Sequence, residues 1–428
     1  MTSPALHPQA AAALNAVDGT RFITDLRALS RFGGRPDGGV SREALTDTEC
    51  QARQWLLQHL QGAHYQWHVD DAANLWVRRA GRDDTLAPVM TGSHIDTQPV
   101  GGWLDGAYGV MAGLEALRAL DDAGLSTRRP IEVMAWTNEE GSRFGPGAMG
   151  SSAFADPSRL GAFLQARSPQ GAAFAAERDK AIAATPGARH QPLGHPVHAY
   201  VEAHIEQGPV LEDGGQRLGV VTFIQGVRWY EITVHGSSAH AGTTPMGVRQ
   251  DALLTAASLV HRLHTAAMSR QDPDLRWTVG RFEVSPGSVN TVADRVRFTV
   301  DLRHPQEAVL DAMEAMLRAT LVADAGACRC ELRDLMRRAP TPFDPGVLAT
   351  LEAAVRLTGE PYRQLGSGAF HDAMYLADVC PSAMLFVPSH RGISHNAAED
   401  TPEADLIAGV RALTATLFTL ADAPTDAD

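Results

Sequence analysis

The sequence predicts an α/β protein: a mostly parallel sheet with helices on both faces, interrupted by an inserted ferredoxin-like α+β domain. Three observations carry this expectation. From Leu75 the chain alternates short β runs with helical periodicity. From Arg228 the order becomes β-α-β-β-α-β, the split unit of a small complete domain, and after Pro340-Thr-Pro342 the βα alternation resumes. The expected domains are therefore residues 1–226 with 339–428, and an insert of 227–338. A chain of 428 residues, 44% hydrophobic and 20% charged, has a globular composition and exceeds what one core usually serves.

The elements follow in order. An amphipathic opening helix carries Phe22, Leu26 and Leu29 and breaks at Gly33-Gly34. Thr46-Asp47-Thr48-Glu49 reads as a capping box ahead of a helix with Trp55, Leu56 and Leu60,. A strand at Ala87–Met90, a helix from Tyr108 with Val110, Leu114 and Leu117 on one stripe, and a strand at Ile131–Thr137 give βαβ grammar,. Residues 154–198 are Ala-, Gln- and Pro-rich and suggest no more than a helix or two, before a β run opens at Ala199. The insert reads as strands Trp229–Val234, Leu275–Val284, Val296–Arg303 and Cys328–Leu332 with helices Val248–His264 and Gln306–Val322. A helix with Leu348, Leu351 and Val355, a strand Ala383–Val387 and a final helix close the chain. That last helix is expected to take Thr401 as N-cap and Pro402 as its first residue, with Leu406, Val410, Leu413 and Leu417 on one stripe,.

The formal charge of −13 argues against nucleic acid or an anionic membrane surface and leaves small molecules as partners. Four cysteines, only Cys328 and Cys330 close together, fit neither a disulfide framework nor a thiolate zinc site,. The opening MTSPALHPQAAAALNAV lacks a basic region, and no apolar run approaches the ~18 residues of a membrane span,. A cytoplasmic protein is expected.

The chemistry-bearing residues gather where strands end. Thr91 to Gly106 reads TGSHIDTQPVGGWLDG. His94 and Asp96, two apart in extended chain, share a face, so one can bind a metal while the other orients it. Asp105 sits between a DG turn and a helix. Glu139 and Glu140 follow the next strand, His204 lies in Ala199–Gly208, and His395 follows the last strand. An HxD and a DG turn are common loop chemistry, and adjacent acids at a strand end are commonly a solvated turn; the recurrence of such ends makes the set informative. His94, Asp105, Glu140, His204 and His395 are imidazoles and carboxylates, which suit zinc first and also manganese, cobalt or nickel. Five ligands exceed what one zinc with an open position takes, whereas two divalent ions sharing a carboxylate would use them all. Glu139 is then the base beside the metal-held water. Arg303, at the end of DLRH, could take a substrate carboxylate in two parallel hydrogen bonds. Gly145-Pro-Gly147-Ala-Met-Gly150 spells GxGxxG, but Pro146 removes a backbone donor and no acid ends a second strand at the right distance. No GxSxG elbow occurs, and Ser237-Ser238 near His240 lacks a strand-turn-helix setting,.

GSHIDTQPVGG, the following DG, WTNEEGSRF, EAHIEQGPVLE, HAGTTPMGVRQDAL, SVNTV, DLRH and GISHNAAED closely resemble the amidase/hydantoinase-carbamoylase family of di-metal hydrolases, over nearly the whole chain. The family contains N-carbamoyl-L-amino acid hydrolases, β-ureidopropionases and allantoate amidohydrolases. The resemblance implies that His94 and His204 hold one ion, Glu140 and His395 the other, and that Asp105 bridges them. It makes Asp96 the acid that orients His94, Glu139 the base and His240 the stabiliser of the oxyanion. It makes the insert a lid and dimerisation unit of a homodimer, and gives substrate contacts to Gln207, His240, Asn290 and Arg303, the last three reaching the partner subunit's site. Phe370 stands where members often carry Gly, which bears on the side-chain pocket. The implied activity is hydrolysis of a linear C–N bond, an N-carbamoyl-L-amino acid giving amino acid, ammonia and carbon dioxide, with allantoate or N-carbamoyl-β-alanine as alternatives. A non-catalytic binding dimer would be expected to have lost a ligand or the base, and all six residues are present.

Overall fold

The computed structural model describes residues 6–62 and 64–423, so the first five residues of the amino-terminal expectation lie outside the described residues. The chain forms two compact units, Met1–Thr222 with Phe343–Asp428, and Phe223–Pro342.

In the first unit a large sheet runs in the strand order Leu218–Ile224, Ser382–Val387, Ala199–Ile205, Val89–His94, Ile131–Trp136, Leu75–Arg79, Tyr65–Val69, Arg189–His190. The sheet is mixed, which corrects the expectation of a mostly parallel one. Ser382–Val387, Ala199–Ile205, Val89–His94 and Ile131–Trp136 are mutually parallel neighbours. Leu218–Ile224 joins one side antiparallel, and Leu75–Arg79 with Tyr65–Val69 join the other side antiparallel. The hairpin between the last two has only Asp70–Asn74 to turn in, and so short a connection permits only antiparallel pairing. Asp70 Oδ1 accepts the N–H groups of Ala72 and Asn74 at 2.9 Å, which shapes that turn.

Helix Ala107–Asp122 is buried on nearly every side, because it packs against the strand Val89–His94 and beneath helix Glu403–Asp422. Gly109 permits the approach: a Cβ there would lie 2.3 Å from the Ala203 carbonyl oxygen. Helix Pro345–Thr358 starts at Asp344, whose carboxylate caps Gly346 and Val347, and stops at Gly359 with φ +75°,. Several boundaries differ from the sequence reading. Thr46 caps helix Asp47–His59, but Glu49 Oε2 accepts from Leu45 N at 2.7 Å and the other oxygen pairs with Arg53, so the reciprocal half of the capping box is absent. Thr401 Oγ1 donates to the Pro388 carbonyl, and the last helix starts at Glu403. That helix is long and apolar enough by length and composition to cross a membrane, which no segment was expected to be; 72% of the apolar window is buried inside the fold. Within 154–198 the chain forms helix Phe174–Ala183, shorter helical turns, and the two-residue strand Arg189–His190.

In the second unit Arg295–His304 lies at the centre, antiparallel to Gly226–His235 on one side and to two short strands, Arg276–Thr278 and Phe282–Ser285, on the other. The single strand expected over Leu275–Val284 is thus broken in two. Arg329–Arg338 forms the far edge beside Gly226–His235. Arg295–His304 alternates strictly: Val296, Phe298, Val300 and Leu302 pack beneath Leu259, Leu263, Leu310, Met313 and Leu317 of helices Ala252–Ser269 and Glu307–Ala323,. Arg303 therefore falls on the polar face.

Candidate metal centre and active site

Four parallel strands place their carboxyl ends on one edge, and the titratable residues collect there. His94 is the last residue of its strand, which runs Val89–His94 and not Ala87–Met90. His204 lies inside Ala199–Ile205, while Glu139, Glu140 and His395 occupy the loops after Ile131–Trp136 and Ser382–Val387.

Asp105 is at the centre, and its two carboxylate oxygens face different partners. Oδ1 lies 3.2 Å from His204 Nε2 and 3.7 Å from His94 Nε2. Oδ2 lies 3.0 Å from His395 Nε2, which is itself 3.4 Å from Glu140 Oε2. The ligand atoms of His94, Asp105 and His204 lie within 4.8 Å of one another, as do those of Asp105, Glu140 and His395. Two His/Asp/Glu clusters sharing one carboxylate are the donor set of a dinuclear divalent-metal site. The backbone sets this division. Ala107 N donates to the Asp105 carbonyl at 2.7 Å, closing a γ-turn on Gly106 at φ +65°, ψ −48°,. That turn sets Gly106 against the His94 ring, where an added Cβ would lie 2.4–2.5 Å from three ring atoms. Asn138, Gln207 and His395 also hold positive φ, 55°, 56° and 53°, backbone strain of the kind that gathers at functional sites.

Both buried imidazoles are oriented by main-chain carbonyls. His94 Nδ1 donates to Asp96 O and His204 Nδ1 to Ile205 O, each at 2.9 Å, which turns both Nε2 atoms toward Asp105. The Asp96 carboxylate, 3.7 Å from His94 Nδ1, instead accepts the backbone N–H groups of Glu139 and Glu140 at 3.2 Å. Asp96 thus orients His94 through its carbonyl and anchors the Glu139–Glu140 loop through its side chain.

The electrostatics suit cations. Burial pushes Glu139 well above the usual carboxylate range, reinforced by Asp372, Glu140, Asp105 and Asp96. Burial and Asp105 raise Glu140 to about 8, and burial and Glu49 raise Asp96 to about 7. Asp105 goes the other way: burial opposes its charge, but hydrogen bonds to His204 and His395 hold it well below its ordinary value. Burial lowers His94 to about 4, leaving a neutral ring with a lone pair to give. So many buried acids around two inward-facing imidazoles form a charge deficit that divalent cations would relieve, and the residues present fit such ions.

Gln98 and Glu399, unassigned in the sequence, and Gln207, expected to contact substrate, complete the site. Gln98 donates to Glu140 from its backbone at 3.0 Å and its side chain at 2.6 Å. Glu399 accepts from the N–H groups of Leu104 and Asp105 at 2.9 and 3.0 Å and from Ser394 Oγ at 2.8 Å. Gln207 Nε2 donates to Asp105 Oδ2 at 3.0 Å. Gln98 and Glu399 stand in motifs already quoted, HIDTQP and GISHNAAED, where only their proximity to ligands pointed to them. Glu202, His204 and His371 form a third close group, but Ser93 and Ala373 N occupy Glu202 and Ser367 occupies His371. Glu206 caps the turn at Val210 and Leu211. The Phe370 ring lies 3.2 Å from where a Cβ on Gly147 would sit. Its place is against the loop whose Ala148 N–H donates to the Glu139 carbonyl.

In the insert, His240 and Asn290 come together on a two-stranded ribbon, where His240 pairs with Thr291 and Ala241 N donates to Asn290 O at 3.0 Å. His240 Nδ1 accepts from Gly242 and Thr243, which turns Nε2 outward as a donor. Arg303 pairs with Asp301 at 2.9 Å and sits opposite Val227, whereas the ribbon lies beyond the other end of the same ladder, past Arg295 and His235. Eight residues of strand separate Arg303 from Arg295, about 27 Å at ~3.4 Å per residue.

Residues 90–419 match Peptidase family M20/M25/M40. An N-carbamoyl-L-amino-acid amidohydrolase of Rhizobium meliloti is 37% identical over 406 residues, 93% of this chain and 95% of that protein. An allantoate amidohydrolase of Escherichia coli is 36% identical over 400 residues, 92% of this chain and 96% of that protein. A solved amidase of the hydantoinase/carbamoylase family from Burkholderia vietnamiensis is 43% identical, with a TM-score of 0.85 over 96% of this chain and 98% of that one. The chain therefore belongs to Peptidase family M20/M25/M40, in its hydantoinase/carbamoylase amidohydrolase branch.

Proposed function

We propose that the protein hydrolyses N-carbamoyl-L-amino acids with two divalent ions, zinc first, which His94 with His204 and Glu140 with His395 would hold, Asp105 being shared between the two clusters. The observation that carries the reading is the division of the Asp105 oxygens between the two clusters. Metal-dependent hydrolysis of a carbamoyl or ureido C–N bond is the activity of this branch, and the two clusters supply its donors. When bound, the ions supply Lewis-acid polarisation of the substrate carbonyl and acidify water.

The chain's own residues do the rest. Glu139, 3.4 Å from His94 Nε2 and held by Asp96 through its backbone, takes a proton from the attacking water and delivers it to the leaving nitrogen. Its raised affinity for protons suits the delivery half of that task. Gln207, already on Asp105, orients the substrate at the cluster. The outward Nε2–H of His240 suits a developing oxyanion, and the Arg303 guanidinium suits a carboxylate. The ~27 Å along the ladder means that one insert does not bring Arg303 and the His240–Asn290 pair to a single small substrate. We propose that Arg303 and the His240–Asn290 pair serve different active sites of a homodimer, so that one of the two contributions crosses between subunits.

The test is a panel of N-carbamoyl-L-amino acids, N-carbamoyl-β-alanine and allantoate, run with zinc, manganese, cobalt or nickel and with a chelator. The expected result is highest kcat/KM on an N-carbamoyl-L-amino acid and loss of turnover with chelator. Preference for allantoate, the reading favoured by the Escherichia coli relative, would replace the substrate assignment.

A further inference from the structure

Ser394, beside His395, has one hydroxyl proton and two carboxylates to receive it. Its Oγ lies 2.8 Å from Glu399 Oε2 and 3.4 Å from Asp105 Oδ2. Gln207 Nε2 donates to Ser394 Oγ at 3.1 Å and to Asp105 Oδ2 at 3.0 Å, so the hydroxyl accepts from Gln207 and gives its proton elsewhere,. The shorter contact decides where. Glu399 is 2% exposed, and its Oε1 is pinned by the N–H groups of Leu104 and Asp105. Oε2 is thereby fixed toward Ser394.

We infer that Glu399 is a positioning residue that draws the Ser394 proton away from Asp105, leaving Oδ2 with a lone pair for the ion on the His395–Glu140 side. A hydroxyl proton on Oδ2 competes with a cation for that lone pair. Asp105 Oδ1, on the His94–His204 side, lies outside this arrangement. The inference rests on the two-ion reading and adds a selective dependence of one ion on a residue that touches neither.

Glu399→Gln is nearly isosteric and separates this role from a packing role. The two amide N–H groups require an acceptor, which fixes the new side chain with its oxygen toward them and its NH2 toward Ser394. Ser394 then accepts from that NH2, and its proton turns to Asp105 Oδ2. The second ion should weaken about 10–100-fold, the usual effect of altering a partner behind a ligand, while the first keeps its affinity. Ser394→Ala in the same background removes the competing proton and should restore the second ion. Ser394→Ala alone should bind two ions at least as tightly as the parent.

Metal-stripped proteins titrated calorimetrically with zinc, with metal-to-protein ratios after dialysis and circular dichroism for the fold, read all of this without turnover. A Glu399→Gln protein that holds both ions at parental affinity overturns the inference, as does a double variant that stays at one ion. Should Glu399→Gln not fold, Ser394→Ala alone decides: loss of an ion there shows that the hydroxyl helps to hold it and overturns the inference. A parent protein that binds fewer than two ions overturns the two-ion reading itself, an outcome distinct from two-ion binding by both parent and Glu399→Gln.

Discussion

Gly106→Ala tests whether the γ-turn positions the metal cluster. Gly106 has φ +65° and ψ −48°, a conformation that costs a residue with a side chain about 1–3 kcal/mol. An added Cβ would also lie 2.4–2.5 Å from three atoms of the His94 ring. Contact between carbons is favourable at about 3.5–4.0 Å, so the ring must retreat by about 1 Å. A displacement of that size at a catalytic group costs about 10²-fold in rate. Gly124→Ala is the control, because Gly124 has nearly the same φ, +64°, with nothing within 4 Å of the Cβ position. Thermal unfolding should fall in both variants, but only Gly106→Ala should also lose metal and roughly 10² in kcat/KM. Full activity and metal content in Gly106→Ala would show that the turn does not set the geometry of His94 and Asp105.

Glu139→Gln should keep its metal content while turnover falls about 10²–10⁴-fold, the range for a lost general base; near-parental turnover removes Glu139 from proton transfer. Re-pairing Glu139→Gln subunits with His240→Ala or with Arg303→Ala subunits should recover roughly a quarter of parental activity in one of the two pairings, since half the dimers are mixed and each has one intact site. The other pairing should recover none, and recovery in both or in neither, with subunit exchange verified by tagged pull-down, refutes the division of those residues between sites. Burial depresses His68 from 6.5 to about 4, and neither ring nitrogen has a partner. Between those values the unfolded chain binds a proton that the folded chain refuses, so this contribution to stability is full above about pH 6.5 and is lost as the pH falls toward 4. His68→Phe should therefore flatten the decline in melting temperature between pH 7 and 4.5; an unchanged decline assigns the acid sensitivity to other groups.

The clustering of His94, Glu140, His204 and His395 was legible because each stands at or past the end of a β run, and parallel strands bring such ends together. The split of Asp105 between two clusters was not legible, since it follows from a single γ-turn. Glu399 was hidden for another reason: it is 294 residues from the Asp105 amide that it holds, and a carboxylate accepting backbone N–H groups has no fixed sequence spacing. The antiparallel side of the sheet could have been read from the five residues Asp70–Asn74, too few for a crossover. The expectation that Asp96 orients His94 through its carboxylate missed that main-chain carbonyls do this equally well. Arg303 and His240 were grouped by the family resemblance, and the strand register separates them.

The parallel arrangement that gathers the ligands also gathers the opposite ends of the same four strands. Val89 N is bonded to Pro130 O, His198 N to Pro88 O and Tyr200 N to Pro381 O, so the segments entering these strands lie together, a strand of six residues or about 20 Å from the metal ligands. Asp84 and Thr85 are exposed on that side. An anchoring peptide grafted between them would tether the catalytic unit by the edge remote from its chemistry. On a solid support, the strand ends that carry the ligands would then face the solution, an orientation suited to a flow reactor or an electrode that senses released ammonia.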